Sequence, residues 1–161
     1  MSFQYRDWQE KIVKKVYSHD FTNPLWIDER HDIQAGKRTL ISQLATDLIR
    51  DGKSKTIVIA TRFESAQASI YNMIMRHVTD DVIEKKSSPK FIHFKNGGKI
   101  IFITDHNSLR GHYFDTIFVY EYMWEAWEKL KNIIETISPK LMIRLTRDMS
   151  MVDKWQNTVF K

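Results

Sequence analysis

"ERHDIQAGKRTL", residues 29–40, is the stretch on which the reading turns. An apolar run, "LWID" at 25–28, precedes it. After it Leu40, Ile41, Leu44, Ala45, Leu48 and Ile49 recur at helical spacing until Asp51-Gly52 stops the pattern. Strand, small-residue loop and helix, in that order, aim backbone N–H groups at a helix N-terminus, where anions bind. The loop's core, Ala35-Gly36-Lys37, suits a phosphate: small residues let the backbone wrap it, and a lysine reaches the β and γ oxygens. Two positions depart from the usual loop. His31 stands where the first glycine belongs. Arg38 stands where a hydroxyl would hold Mg²⁺, with Thr39 one place late.

Outward from the loop, the pattern alternates. "YRDWQEKIVKKVY" sets Trp8, Ile12, Val13 and Val16 at helical spacing, and "HDFTNP" ends it. "KTIVIAT" (55–61) and "TIFVY" (116–120) are β-branched runs of fully buried strands. Thr61 and Glu64 have capping-box spacing ahead of a helix with Ala66, Ile70, Met73 and Ile74 on one side. "TDDVIEKKSSPK" reads as a loop. "FIHFK" and "KIIFIT" flank Asn96-Gly97-Gly98, a hairpin signal, and "NSLRGHYFD" is again a loop. "EYMWEAWEKLKNIIETI" reads as a helix ending near Ser138-Pro139, and "KLMIRLT" (140–146) as a strand. Ser150 and Asp153 have capping-box spacing for a last helix. Alternating strands and helices predict a single α/β domain over residues 1–161: a mostly parallel sheet covered on both faces, with one β-hairpin inserted. Ligands in such sheets sit at the carboxyl ends of strands, where the "QAGKR" loop falls.

Composition narrows the function classes. A chain of 161 residues with 42% apolar side chains can build one sizeable core, and only 5 Gly and 3 Pro argue against low complexity. There is no cysteine, which excludes disulfides, thiolate metal sites and cysteine nucleophiles. His31, Asp32, His93, Asp105, His106 and His112 match no ligand spacing, so no metal site is expected. No nucleophile elbow supports Ser/His/Asp catalysis. The charged N-terminus is not a signal peptide and no run spans a membrane, so the expected location is cytoplasmic, a host cell's if the chain is viral. The net charge of +5 is compatible with nucleic acid. Lys11, Lys14 and Lys15 share one helix side. Lys85, Lys86, Lys90, Lys95 and Lys99 gather about the hairpin, and Arg144 and Arg147 flank the last strand. Lys95, Lys99 and Arg110 are the candidates for a phosphate-backbone contact without base readout.

A phosphate loop needs a second element, an apolar strand ending in Asp-Glu: the Asp helps hold the metal and the Glu polarises the attacking water. "TIFVYEY" has the strand and Glu121, but Tyr120 fills the Asp position. Glu121 also reads as a solvated residue opening the next helix, where negative charge is favourable.

The order of these elements resembles the ATPase domain of the large terminase subunit of tailed phages, the motor that drives DNA into the capsid. "YRDWQEKIV" resembles the family's opening, an aromatic-and-Gln element close to the adenine, which implies that role for Tyr5, Trp8 and Gln9. The loop matches the family's at Gln34, Gly36 and Lys37 and departs at Asp32, Ile33 and Arg38. "IATRFESAQASIYNMI" looks like the next strand-loop-helix segment, carrying Ser65 and Ala66. "FKNGGKIIFITDHNSLRGHYFDTIFVYEY" is the most similar stretch, with Arg110, Gly111, Phe114 and Asp115 at the family's positions. "LMIRLT" looks like the strand of the coupling Ser/Thr motif, with Thr146 as its nearest residue. The resemblance covers roughly residues 3–150. The family's nuclease domain is not expected, because about 15 residues follow the last matching strand.

The resemblance implies ATP or ADP as ligand, through Tyr5, Trp8, Gln9, Gln34, Ala35, Gly36, Lys37, Arg38 and Thr39, with Lys37 and Glu121 catalytic if the site is active. The departures imply a degenerate site. Ile33 cannot replace an arginine that contacts the γ-phosphate, Arg38 repels Mg²⁺, and Tyr120 removes a carboxylate. Phosphoryl transfer depends on positioned charge, so ATP hydrolysis is expected to be absent or very slow. Three readings follow: a nucleotide- or DNA-binding regulatory module linked to packaging, with double-stranded DNA or another viral or host protein as partner; an active packaging or translocating ATPase; and a protein-binding module on an inherited fold.

Overall fold

The computed structural model describes residues 4–31, 36–87 and 90–147. In chain order the elements are α1 (Asp7–Ser18), β1 (Leu25–His31), α2 (Lys37–Arg50), β2 (Thr56–Thr61), α3 (Glu64–Val78), β3 (Val82–Ser87), β4 (Lys90–Phe94), β5 (Lys99–Ile103), β6 (Thr116–Tyr120), α4 (Trp124–Ile137) and β7 (Leu141–Arg147). The strands form one sheet in the order β1-β7-β6-β2-β5-β4-β3. The first five run parallel, β4 runs antiparallel to β5, and β3 antiparallel to β4, back in the direction of the first five. This is the expected mostly parallel α/β sheet.

Strand parity makes the three layers. Side chains alternate across a strand. Ile57, Ile59, Phe118, Leu141, Ile143 and Leu145 therefore face one way, against Ile12 and Val16 of α1, Leu40, Leu44 and Leu48 of α2, and Ile70 and Ile74 of α3. Val58, Ala60, Ile117, Val119 and Met142 face the other way, against Trp127, Leu130 and Ile134 of α4. Fully burying each large apolar side chain stabilises the fold by about 1.5–3 kcal/mol, so both faces hold the sheet.

The hairpin forms as expected around Asn96-Gly97-Gly98. Gly97 adopts φ +93°, and the Asn96 carboxamide accepts from Gly98 N–H at 2.9 Å while donating to the Ile49 carbonyl at 2.8 Å. A Cβ on Gly98 would meet Ile49 at 2.6 Å, so the turn docks on the end of α2 only with glycine there.

Four local expectations change. The segment expected as a loop at 79–90 contains β3, paired with β4 through a bulge between Val82 and Glu84. Its charges hid the alternation; they are those an outer edge strand carries. β1 runs to His31 rather than stopping at Asp28, because its pairing with β7 continues to His31↔Arg147. Its charges survive because β1 is the other sheet edge. The capping box at Thr61 does not open α3: Thr61 completes β2, donates its hydroxyl to the Phe63 carbonyl, and the helix starts at Glu64. α4 starts at Trp124, so Glu121 belongs to a turn and not to a first helical turn. The expected last helix lies outside the described residues.

Candidate functional site

The carboxyl ends of β1, β7 and β6 meet the N-terminus of α2. Gly36 caps that helix at φ +91°, and a Cβ there would meet Gln9 Nε2 at 2.7 Å, so close approach and backbone angle both require glycine. Gln9 is buried. Its Nε2 donates to the Gly36 carbonyl at 2.9 Å, and its Oε1 accepts from Arg6 N–H at 2.8 Å. The side chain thus ties the start of α1 to the end of the loop. Trp8 stacks on His31 with ring centroids 3.8 Å apart. Burial, with the Asp47 carboxylate beside it, pushes the Tyr5 hydroxyl up to about 12. Gln9 and Trp8 thus meet the two ends of the loop, at Gly36 and His31, whereas Tyr5 lies further along α2, beside Asp47. Gln34 and Ala35, with Asp32 and Ile33, lie outside the described residues.

At the N-terminus of α2 is a cavity of about 430 Å³ whose lining includes Arg6, Lys37, Arg38, Thr39, Tyr120, Glu121 and Arg147. Among the described residues of that lining, four cationic side chains stand against one carboxylate, which makes it a place for an anion. The Lys37 side chain is only 4% exposed; its Nζ donates to the His31 carbonyl at 3.3 Å and pairs with Glu121 Oε1 at 3.7 Å. Glu121 sits at φ +57°, an unusual angle for a residue with a side chain. Its N–H donates to the Leu145 carbonyl at 3.0 Å, and its Oε2 accepts from Arg147 N–H at 3.2 Å. Both carboxylate oxygens are thus engaged, and the residue is not the solvated helix opener of the alternative reading.

Arg38 and Tyr120 touch. Arg38 Nε donates to the Tyr120 hydroxyl at 3.1 Å, and the guanidinium carbon lies 5.4 Å from the ring centroid. The reason is parity: Tyr120 ends β6 on the face that packs against α2, whose first turn carries Arg38. The two positions that would hold a metal in a phosphate-loop enzyme are therefore joined by a cation–phenol contact. Among the described residues no group of three or more His, Asp or Glu side chains is placed to hold a metal ion.

Thr146 is buried on β7, and its hydroxyl finds no hydrogen-bond partner among the described residues. Two positions earlier, Arg144 is not the surface cation that its sequence suggested. It is 8% exposed, donates to the Tyr122 carbonyl from Nε at 3.1 Å and Nη2 at 2.8 Å, reaches Asp28 at 3.0 Å, and lies 4.3 Å over the Trp127 ring. It clips the turn that presents Glu121. Asp115 is also structural: its carboxylate accepts from the Ser54 hydroxyl and from Lys55 N–H at 2.9 Å, pinning the amino end of β2.

Lys95, Lys99 and Arg110 are all exposed, but the fold does not gather them at the cavity. Lys99 opens β5 opposite Thr56, at the amino ends of the parallel strands, away from the carboxyl ends where Lys37 lies. Arg110 follows a short 3-10 turn and donates to Asn107 at 3.4 Å. Sequence reasoning missed Arg6 as a lining residue. Its only signal was proximity to Gln9.

Solved structures that share this fold include phage large terminases and a DNA packaging ATPase. The HK97 bacteriophage large terminase superposes with TM-score 0.72 at 11% identity, over 99% of this chain and 37% of its own. The large terminase of a thermophilic bacteriophage, solved with ADP, gives 0.60 at 16% identity, over 88% of this chain and 39% of its own. The N-terminal domain of the bacteriophage phi29 DNA packaging ATPase gives 0.56 at 15%, over 98% and 86%. This chain thus spans well under half of the two large terminases. No family model matches the chain, and no curated protein matches it in sequence. The likeness establishes the fold, which is that of the terminase ATPase domains.

Proposed function

We propose that this terminase-fold chain is a packaging-linked nucleotide-binding module whose site works without a metal. It takes ADP or ATP through the loop backbone, Lys37 and Arg38, and does not turn ATP over at motor rates. The observation that carries this reading is the Arg38–Tyr120 contact at 3.1 Å. In phosphate-loop enzymes a hydroxyl and a carboxylate hold Mg²⁺, and Mg²⁺ neutralises the phosphates. Here a guanidinium, steadied by a phenol, supplies positive charge at that place and repels the metal. Glu121 points the same way, since a carboxylate tied to Lys37 and to Arg147 N–H is poorly placed to polarise water. In this reading Tyr5, Trp8 and Gln9 support the loop, and Thr146 has no metal-bound phosphate to report on. Double-stranded DNA, through Lys95, Lys99 and Arg110, or another packaging or host protein is the partner to which nucleotide occupancy is coupled.

Calorimetric titration of ADP and ATP, with Mg²⁺ and with EDTA, tests it. Binding at least as tight in EDTA as in Mg²⁺ is expected. The second reading, a working motor ATPase, draws on the retained Lys37–Glu121 pair at 3.7 Å. Mg²⁺-dependent binding, with Lys37-dependent phosphate release near 1 s⁻¹, an ordinary rate for phosphoryl transfer, would establish that reading instead. No nucleotide binding under either condition would leave the protein-binding module.

A further inference from the structure

A second cavity, of about 750 Å³, lies against the first. Arg38, Tyr120, Glu121 and Arg147 form the shared wall, while Arg62, Phe63 and Trp124 line the second cavity and not the first. Its charge is unbalanced. Both carboxylates in the lining are already matched, Glu121 with Lys37 at 3.7 Å and Glu125 with Lys129 at 3.4 Å. Arg38, Arg62 and Arg147 have no carboxylate partner among the described residues.

Its aromatic content is also unusual. Phe63 is 65% exposed and Trp124 is 77% exposed, while Trp127, one helical turn on from Trp124, is buried in the core. An aromatic helix face would bury both tryptophans; here the backbone turns one of them out. Trp124 sits at φ +55° and Glu121 at φ +57°, so two side-chain-bearing residues in the turn after β6 adopt left-handed angles. Such strain concentrates where the surrounding structure holds a residue for use. Guanidinium groups beside solvent-facing rings are the chemistry that grips phosphates and stacks bases.

We propose that this cavity receives an unpaired nucleotide segment of a nucleic-acid strand, with phosphates against Arg62 and Arg147 and a base stacked on Trp124 or Phe63. A duplex keeps its bases stacked on each other and offers these rings no free base face. An acidic peptide would match the charge but leave the rings unused. No side-chain pattern in the lining selects one base, so the binding is sequence-tolerant.

The test is fluorescence anisotropy of the full chain with a labelled oligothymidylate about 12 nucleotides long, within the usual site size of single-strand binders. Trp124→Ala and Phe63→Ala should each weaken binding about thirtyfold, the middle of the range for lost base stacking. Trp124→Tyr, which keeps a stacking face, should restore most of it. Arg62→Ala should lower the slope of log affinity against log salt by about 0.7, one single-strand phosphate contact. Gln9→Ala, which weakens nucleotide binding from outside the second cavity's lining, should leave strand binding within about twofold, and Trp124→Ala should leave nucleotide binding unchanged, so this proposal and the metal-free nucleotide site fail separately. Thermal melting of each variant confirms that the exposed substitutions leave the fold intact. Duplex binding of the same length that weakens with Trp124→Ala as much as strand binding does, equal competition by polyglutamate, or no response of strand binding to either aromatic substitution would overturn the proposal.

Discussion

Replacing Arg38 by threonine should exchange one kind of nucleotide site for another. In the wild type the Arg38 guanidinium is held 3.1 Å from the Tyr120 hydroxyl, beside a lysine and without a carboxylate to neutralise it. A hydrogen bond to a charged group contributes about 1.5–3 kcal/mol. At about 1.4 kcal/mol per factor of ten, losing it should raise the metal-free Kd for ADP about 10- to 150-fold. The metal responds with the opposite sign. Unit charges about 4 Å apart repel by about 4 kcal/mol at a partly exposed site, and a divalent ion doubles that. Even a fraction of this term excludes Mg²⁺ from the wild type, and Arg38→Thr removes it while returning a hydroxyl. Calorimetry with ADP in EDTA and in millimolar Mg²⁺ reads both effects. Mg²⁺ should weaken or leave unchanged wild-type binding and should strengthen binding by Arg38→Thr. Tyr120→Phe, which keeps the cation and removes only its acceptor, should cost no more than about tenfold in EDTA. If the wild type binds ADP only with Mg²⁺, or if Arg38→Thr leaves the metal-free Kd within twofold, the guanidinium does not stand in for the metal.

Other consequences concern the frame of the site. Arg144→Met keeps apolar length but strips two donors from the buried Tyr122 carbonyl and the cation from the Trp127 ring. The orphaned acceptor costs about 1–3 kcal/mol and the ring contact about 1; the half-exposed Asp28 adds little. Urea denaturation should show the loss, and a change below about 1 kcal/mol would mean that this clip does not hold the turn. Gln9→Ala removes both the Gly36 and the Arg6 bonds, so the melting temperature should fall by roughly 2–8 °C, with metal-free ADP binding weakened alongside. Asp47 tests the pH dependence. Burial is the main cause that raises its carboxyl; the neighbouring Asp51 charge adds to the rise, and the Gln43 hydrogen bond opposes it. The folded value is above the unfolded one, so the contribution of the protonated form is present below the unfolded value and is lost as pH rises through the folded one. Asp47→Asn should therefore be more stable than the wild type at pH 7, with the difference shrinking toward pH 3. A pH-independent difference in denaturation midpoints would refute that sign.

The sequence by itself determined the class of fold and the place of the site. The runs "KTIVIAT" and "TIFVY" have no polar face, so they had to be interior parallel strands, and they are. Asn-Gly-Gly needs left-handed angles that suit a hairpin, and the hairpin forms there. The loop at 29–40 had to fall between strand and helix, because the apolar period changes across it. Local periodicity says which way a side chain faces, and only that. It does not say what stands opposite. β3 and the last residues of β1 were hidden because edge strands keep charged side chains, and only their pairing partners reveal them. Arg144 looked like a surface cation until β7 carried it over Trp127. Gln9 stands out in sequence only as part of an aromatic-and-Gln element, and only the fold shows its carboxamide bonded to Gly36. Arg38 and Tyr120 are 82 positions apart, and each alone read as a loss from a working motif. Their meeting depends on the sheet order, which sets the end of β6 beneath the first turn of α2. The sequence marked both residues as departures; only the tertiary structure made them a pair, because contact between distant residues is decided by strand order and parity.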